Sequence, residues 1–305
     1  MKLEGIHHIT AITADAQGNI DFYAGTLGLR MVKKTVNQDA PSVYHLFYAD
    51  EKGSAGSDIT FFEFRGARQG RAGAGMVHRV VWRVASTDAL DFWSQRLDSA
   101  GFDSRRDGSS LHFSDPEGLD HELLVVTVSD QPLIADHPEV PAEFALMGFH
   151  AARAYSSDPG RSTALLESLE LVRSDGQWEA RGSQRGGLWI YDEPPAEPGI
   201  EGAGSVHHIA WASEMDDHEV WRERAIAGGA RPTPVIDRFW FRSIYFREPS
   251  GVLFEIATLG PGFDVDEDVE HLGEKLILPP FLEQRRDEIE QALVPVTNPR
   301  TAPRA

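Results

Sequence analysis

An α+β fold of four strand–helix–three-strand modules, closed into two half-open barrels, is predicted for this chain by three observations. The first is a repeated imidazole pair. Gly5-Ile6-His7-His8-Ile9-Thr10 stands near the start, and Ser205-Val206-His207-His208-Ile209-Ala210 stands about two hundred residues later. Each pair opens a short apolar run with strand-like alternation, and a helix-like stretch follows each. The second is a repeated turn: Asp115-Pro116-Glu117-Gly118 and Glu248-Pro249-Ser250-Gly251 both feed a run that carries a glutamate, Glu122 or Glu255. Acid-Pro-x-Gly suits a tight hairpin turn. The third is that strand and helix periodicities follow one another in the same order four times.

Taken in order, module 1 covers about residues 3–64, with a first strand at 6–12, a helix at 16–27 stopped by Gly28, and later strands at 43–47 and 59–64. Module 2 begins at Val77-His78-Arg79-Val80, has a helix over 87–100 ending at Gly101, and a last strand at 121–126. Module 3 begins at Leu146-Met147-Gly148-Phe149-His150, with a weaker helix near 160–169 and a strand at 188–191. Module 4 begins at Val206, with a helix at 218–227 and strands at 243–247 and 252–257. Modules 1 and 2 thus occupy 1–130, a Pro- and acid-rich linker 131–144, modules 3 and 4 145–260, and a tail 261–305. The tail has helical spacing over 281–293 and a frayed end at 297–305. Its acidic cluster, Asp264-Val265-Asp266-Glu267-Asp268, reads as a solvated loop or helix start, since the spacing does not match a calcium loop.

Composition narrows the functional classes. With 41% apolar and 25% charged residues, the 305-residue chain is of ordinary globular type. A formal net charge of −19 repels phosphate backbones and argues against nucleic acid. No apolar run is long enough for a bilayer, and the N-terminus enters a strand directly, so no membrane and a cytoplasmic location are expected. Cysteine is absent, which excludes disulfides, thiolate metal sites and cysteine nucleophiles. Any metal must be held by His, Asp or Glu.

Superposing the four first strands puts His7, His78, His150 and His207 at one position, and His8, Arg79, Ala151 and His208 at the next. Alternate strand residues face opposite ways, so only modules 1 and 4 offer an imidazole on the second face. The metal candidates are therefore His8 and His208. Glu255, a charge inside the apolar run Phe254-Glu255-Ile256, is the third. Glu122 is its counterpart in module 2, where Arg79 replaces a ligand and is placed to neutralise it. Glu63 is either a fourth ligand or a water-facing residue, with water preferred. His45, His78 and His150 read as structural. Two imidazoles and one carboxylate leave open positions on a six-coordinate metal, which suits Fe(II), with Mn(II) as the alternative. His8 can share an ion with His208 and Glu255 only if modules 1 and 4 pair, leaving modules 2 and 3 to pair as a degenerate cup.

These residues resemble the vicinal oxygen chelate (glyoxalase/bleomycin resistance/extradiol dioxygenase) superfamily. Within it the chain is similar to the hydroquinone-cleaving, 2,6-dichlorohydroquinone 1,2-dioxygenase-like branch. The resemblance rests on residues 3–10, 43–50, Gly148-Phe149-His150, residues 206–210, Asp237-Arg238, Ser243-Ile244-Tyr245-Phe246-Arg247 and Gly251-Val252-Leu253-Phe254-Glu255. It implies a ring-cleaving dioxygenase that inserts both oxygen atoms into a hydroquinone- or catechol-type substrate, with Fe(II) on His8, His208 and Glu255. It also implies supporting roles for His7, His207, Arg238 and Tyr245. Phe239-Trp240-Phe241 departs from the more polar stretch of that branch. The expected partners are a small aromatic compound and dioxygen, and the oligomeric state is open, a homo-oligomer included. Two rivals are a glyoxalase-type lyase or isomerase with Glu63 as an added ligand, and a non-catalytic binder of small aromatics.

Overall fold

The structure, a computed structural model, describes residues 1–300. The end read as frayed, 297–305, lies outside the described residues from 301 onward. Module 1 comprises β1 (Ile6–Thr13), α1 (Ala16–Ile20), β2 (Arg30–Asn37), β3 (Ala40–Ala49) and β4 (Asp58–Glu63). Module 2 comprises β5 (Val77–Val84), α2 (Thr87–Ser99), β6 (Ser104–Asp107), β7 (Ser110–Ser114) and β8 (Asp120–Val125). Module 3 comprises β9 (Phe149–Tyr155), α3 (Thr163–Ser168), β10 (Val172–Ser174), β11 (Gln177–Arg181) and β12 (Gly186–Asp192). Module 4 comprises β13 (Val206–Ser213), α4 (His218–Ala227), β14 (Ile236–Asp237), β15 (Phe241–Arg247) and β16 (Leu253–Pro261), and α5 (Arg286–Ala292) lies in the tail. Among the described residues no helix is long and apolar enough to cross a membrane.

Two eight-stranded sheets result, ordered β14-β15-β16-β13-β1-β4-β3-β2 and β10-β11-β12-β9-β5-β8-β7-β6. Modules 1 and 4 share the first and modules 2 and 3 the second, so the pairing is nested, as the sequence predicts. Each sheet is joined at its middle by one antiparallel seam, β1 with β13 and β5 with β9. The seams repeat each other residue for residue. Ile9 faces Ile209 as Val80 faces Ala152, and each seam carries two register shifts at matching places. Every residue of β1 is buried, and Trp82, Trp93, Trp189, Trp211 and Trp221 are among the largest fully buried side chains. Each such side chain contributes roughly 1.5–3 kcal/mol or more by leaving water.

The two acid-Pro-x-Gly turns staple sequence neighbours together. Gly118 and Gly251 adopt φ of 90° and 117°, which a side chain would strain. Trp82 Nε1 donates to His121 Nδ1 (3.1 Å), so His121 donates its Nε2 proton to Tyr23 (2.9 Å), whose hydroxyl donates to Asp115 (2.9 Å). Tyr191 of module 3 likewise donates to Glu248 in the module 4 turn (2.9 Å). Tyr23 reaches its partner because the helix expected over 16–27 is only α1 followed by a π-helical turn, Asp21–Thr26, which buries Phe22, Tyr23 and Ala24 together. A wider turn lets adjacent large side chains face the same core.

Other expectations change for identifiable reasons. β2 supplies the third strand that the module pattern requires and to which the sequence reading assigns no residues. Its Lys33 is fully buried, donating to the Phe263 carbonyl (3.1 Å), to Asp266 (2.8 Å) and to Glu267. The acidic cluster is largely exposed, as expected, but two of its carboxylates also neutralise a buried ammonium. Glu63 does not face water either. It is buried and accepts a hydrogen bond from Ala16 N at the start of α1 (3.2 Å). The tail helix is shorter than 281–293, beginning in earnest at Arg286. Thr297 is not frayed, since its amide donates to Gln17 and its carbonyl accepts from Gln17.

Candidate metal centre

His8, His208 and Glu255 converge at the seam of the first sheet. Each offers one ligand atom, these atoms lie within 4.8 Å of one another, and all three residues are buried. His8 Nε2 and His208 Nε2 are 3.1 Å apart, and they lie 3.1 and 2.9 Å from the same Glu255 oxygen. Three donors held at right angles about 2.1 Å from one ion stand about 3.0 Å apart, whereas tetrahedral angles would spread them to about 3.4 Å. The triangle therefore fits one face of an octahedron.

Strand bulges build this corner. His7 is the extra residue between the Ile6 and His8 pairings, and His207 is the extra residue between Val206 and His208. Strict alternation would send His7 and His8 to opposite faces. The bulge instead lets His7 Nδ1 approach His8 Nδ1 (2.9 Å) and His207 Nδ1 approach His208 Nδ1 (2.8 Å). Proton positions on the first pair follow from one carbonyl. Thr258 O can only accept, so His7 donates from Nε2 (3.1 Å) and is a bare acceptor at Nδ1. His8 must then donate from Nδ1, which leaves His8 Nε2 as a lone pair aimed at the corner.

The electrostatics agree with the geometry. Burial, then His8, pushes His7 down to about 3, and burial pushes His208 down to about 4, so both rings are neutral at pH 7. Burial raises Glu255; positively charged His8 and His208 would more than offset this and hold it well below the usual carboxylate range, and with neutral rings that task falls to a bound cation. Glu255 is 0% exposed, and neither oxygen receives a well-directed hydrogen bond, although both imidazoles lie close by. Lone pairs facing a buried carboxylate form a pocket for a cation. This chain's residues thus fit a bound divalent metal.

The corner opens into a cavity of about 410 Å³, mouth included. Tyr245 stands opposite Glu255 across the β15–β16 ladder, and its ring meets His208 edge-on at 5.8 Å. Burial, then Glu255, raises the Tyr245 hydroxyl, which stays protonated. The Arg238 guanidinium lies 5.6 Å from the Tyr245 ring and donates to Asp39 (2.9 Å). Burial opposes its charge, but Tyr245 and Asp39 more than restore it. Phe241 packs against both His7 (5.5 Å) and His8 (5.3 Å), and Trp240 is fixed by its indole N–H donating to Asp266 (3.0 Å). All seven sequence-predicted residues therefore sit at or beside one cavity.

Two residues were missed. Pairing β1 with β4 and β13 with β16 makes Thr60 the register equivalent of Glu255 in module 1. Its hydroxyl is 2.8 Å from Thr10 Oγ1 and 2.9 Å from His45 Nε2. His45 itself lines the cavity instead of serving the core. The alternating pattern of β3 could have put His45 and Phe47 on one face, but nothing in the sequence says that this face is the cup. His78 does keep the structural reading, paired with Asp192 (2.8 Å) and stacked on Tyr155 (3.9 Å).

A family model described as the Glyoxalase/Bleomycin resistance protein/Dioxygenase superfamily matches residues 5–123. The chain is 42% identical to the "Putative ring-cleaving dioxygenase MhqO" of Bacillus subtilis over 96% of this chain and 97% of that one. It is 34% identical to the chlorohydroquinone/hydroquinone 1,2-dioxygenase of Sphingobium indicum over 94% and 95%. A crystal structure of a "putative dioxygenase" from Bacillus subtilis superposes with a TM-score of 0.89 at 39% identity, covering 97% and 98% of the two chains. The chain belongs to the glyoxalase/bleomycin resistance protein/dioxygenase superfamily.

Proposed function

We propose, from that membership and from the three-donor corner, that this protein is an Fe(II)-dependent ring-cleaving dioxygenase acting on hydroquinone-type aromatics. The observation that carries the reading is Thr60. At the register position where a fourth carboxylate would stand, the chain has a hydroxyl already engaged by Thr10 and His45. The module 1 acids near the cavity are engaged elsewhere, Glu63 by the start of α1 and Asp39 by Arg238. A three-ligand set keeps adjacent positions free for two guests, whereas the glyoxalase-type rival needs the fourth ligand. The non-catalytic rival leaves the converging His8, His208 and Glu255 without a purpose.

In this reading His8, His208 and Glu255 would hold the iron, which would supply open positions for an aromatic hydroxylate and dioxygen and a path for electrons from the ring to the oxygen. The chain's own side chains do the rest. Arg238 and Tyr245 present a cation and an O–H donor at one cavity wall, suited to an anionic hydroxylate and to charge that grows there. His7 fixes the His8 tautomer through Thr258, and His207 touches His208 Nδ1 from a half-buried position where it can pass protons. Phe241, Phe47 and Phe62 line the cavity with apolar surface that orients a flat ring and limits water.

The test is anaerobic loading with ferrous iron followed by oxygen-electrode assays on hydroquinone, catechol and the methylglyoxal–glutathione adduct. Oxygen uptake with the diols, lost in His208→Ala, is the expected result. Turnover of the adduct without oxygen uptake would overturn the reading.

A further inference from the structure

The cavity has two walls, and the proposed reaction uses only one. Tyr245 lies on β15, two strands from the seam on the module 4 side, and His45 lies on β3, two strands from the seam on the module 1 side. The corner of His8, His208 and Glu255 lies between them. His45 is held firmly: its ring is 3.9 Å from Phe47 and 4.3 Å from Phe62, and its Nε2 is tied to Thr60. Its Nδ1 has no partner among the described residues, yet it is not among the sealed, unpaired atoms, so it is open to the cavity that His45 lines. A clamped imidazole with one free nitrogen between Phe47 and Phe62 is a directional hydrogen-bonding point, whereas Gln38 and Asp39 on the same side are engaged by Arg238.

We infer that His45 Nδ1 binds the second hydroxyl of the substrate ring, the one remote from the metal corner, and so selects 1,4-diols over catechols and simple phenols. This rests on the proposed ring-cleaving function and deepens it. A ring engaged by one hydroxyl at the corner, beside Tyr245 and Arg238, directs its para substituent toward the opposite wall. A catechol keeps both hydroxyls at the corner and leaves Nδ1 unpaired. A polar site left without its partner hydroxyl discriminates by about tenfold or more.

The experiment titrates the iron-loaded full chain with hydroquinone, phenol and catechol under anaerobic conditions. Wild type is expected to bind hydroquinone about tenfold tighter than phenol. His45→Phe, which keeps the stack between Phe47 and Phe62, should weaken hydroquinone by about tenfold and leave phenol within about twofold. Equal wild-type affinity for hydroquinone and phenol would overturn the inference without any variant. Equal weakening of both ligands in His45→Phe, with iron content unchanged, would overturn it too. Oxygen uptake with hydroquinone in either of those cases leaves the broader function standing. Absence of both binding and uptake with all three compounds removes the function and this inference together.

Discussion

The two seams of the molecule have the same backbone and opposite chemistry. His208 corresponds to Arg79, His8 to Ala151 and Glu255 to Glu122, with the same pairings and bulges around them. In the first sheet the carboxylate is fully buried and lacks a directed donor. In the second, Glu122 accepts from Ser110 (2.7 Å) and lies 3.6 Å from the Arg79 guanidinium. The neighbouring charges are closed off in the same way, Asp130 holding Arg83 (2.6 Å) and Arg181, and Asp192 holding Arg153 (2.6 Å) and His78. One cup has the residues to hold a cation from outside, and the other carries its cation in the sequence. The frame alone therefore does not make a metal centre. Two substitutions at the second residue of each seam decide it.

The largest expected break in this contrast is His208→Ala, which should lower iron affinity at least about 100-fold and abolish oxygen uptake, measured by metal analysis and an oxygen electrode. Retained stoichiometric iron would show that the ligands lie elsewhere. Next is removal of the metal. With iron at about a hundred times its dissociation constant, binding adds about 2.7 kcal/mol, so chelation should lower the wild-type Tm by roughly 5 °C or more. Glu255→Ala should show no such response, whereas Glu122→Gln should keep it in full. Third, Asp130→Asn should cost about 2–3 kcal/mol at pH 7 in urea denaturation. Desolvation opposes ionisation of Asp130, but Arg181 and Arg83 hold its pKa down to about 2. A depressed carboxylate stabilises the fold above its unfolded pKa near 3.9 and loses this as pH falls toward 2. The gap between variant and wild type should accordingly shrink between pH 4 and pH 2. Smallest, Arg79→Met should cost about 1–2 kcal/mol by leaving buried Glu122 without its partly exposed cation, with iron content unchanged.

The sequence carries this contrast unusually far, and it stops where contacts are remote. The doubled imidazoles, the strand glutamates and the two Pro-x-Gly turns are local patterns, and they suffice for the module order, the nested pairing and the convergence of His8, His208 and Glu255. What alternation could not convey is the bulge, because an extra residue is visible only against its partner strand. His7 and His207 accordingly end beside the ligands instead of behind them. Lys33 reads as a surface charge until Asp266 and Glu267, more than two hundred residues away, are seen to meet it. His45 and Thr60 are ordinary strand residues whose importance comes from facing the cup, which only the closed sheet defines.

Nesting also sets an order of assembly during synthesis. Modules 2 and 3 are contiguous in the chain and complete by Asp192, before the ribosome has made His208 or Glu255. The inner sheet can close on its own schedule, while β1 must wait for β13 across some two hundred residues. A nascent or truncated polypeptide thus has His8 but no corner. Under the proposed function, iron would be captured only by a chain that is essentially finished, which would keep an oxygen-activating ion away from half-folded protein.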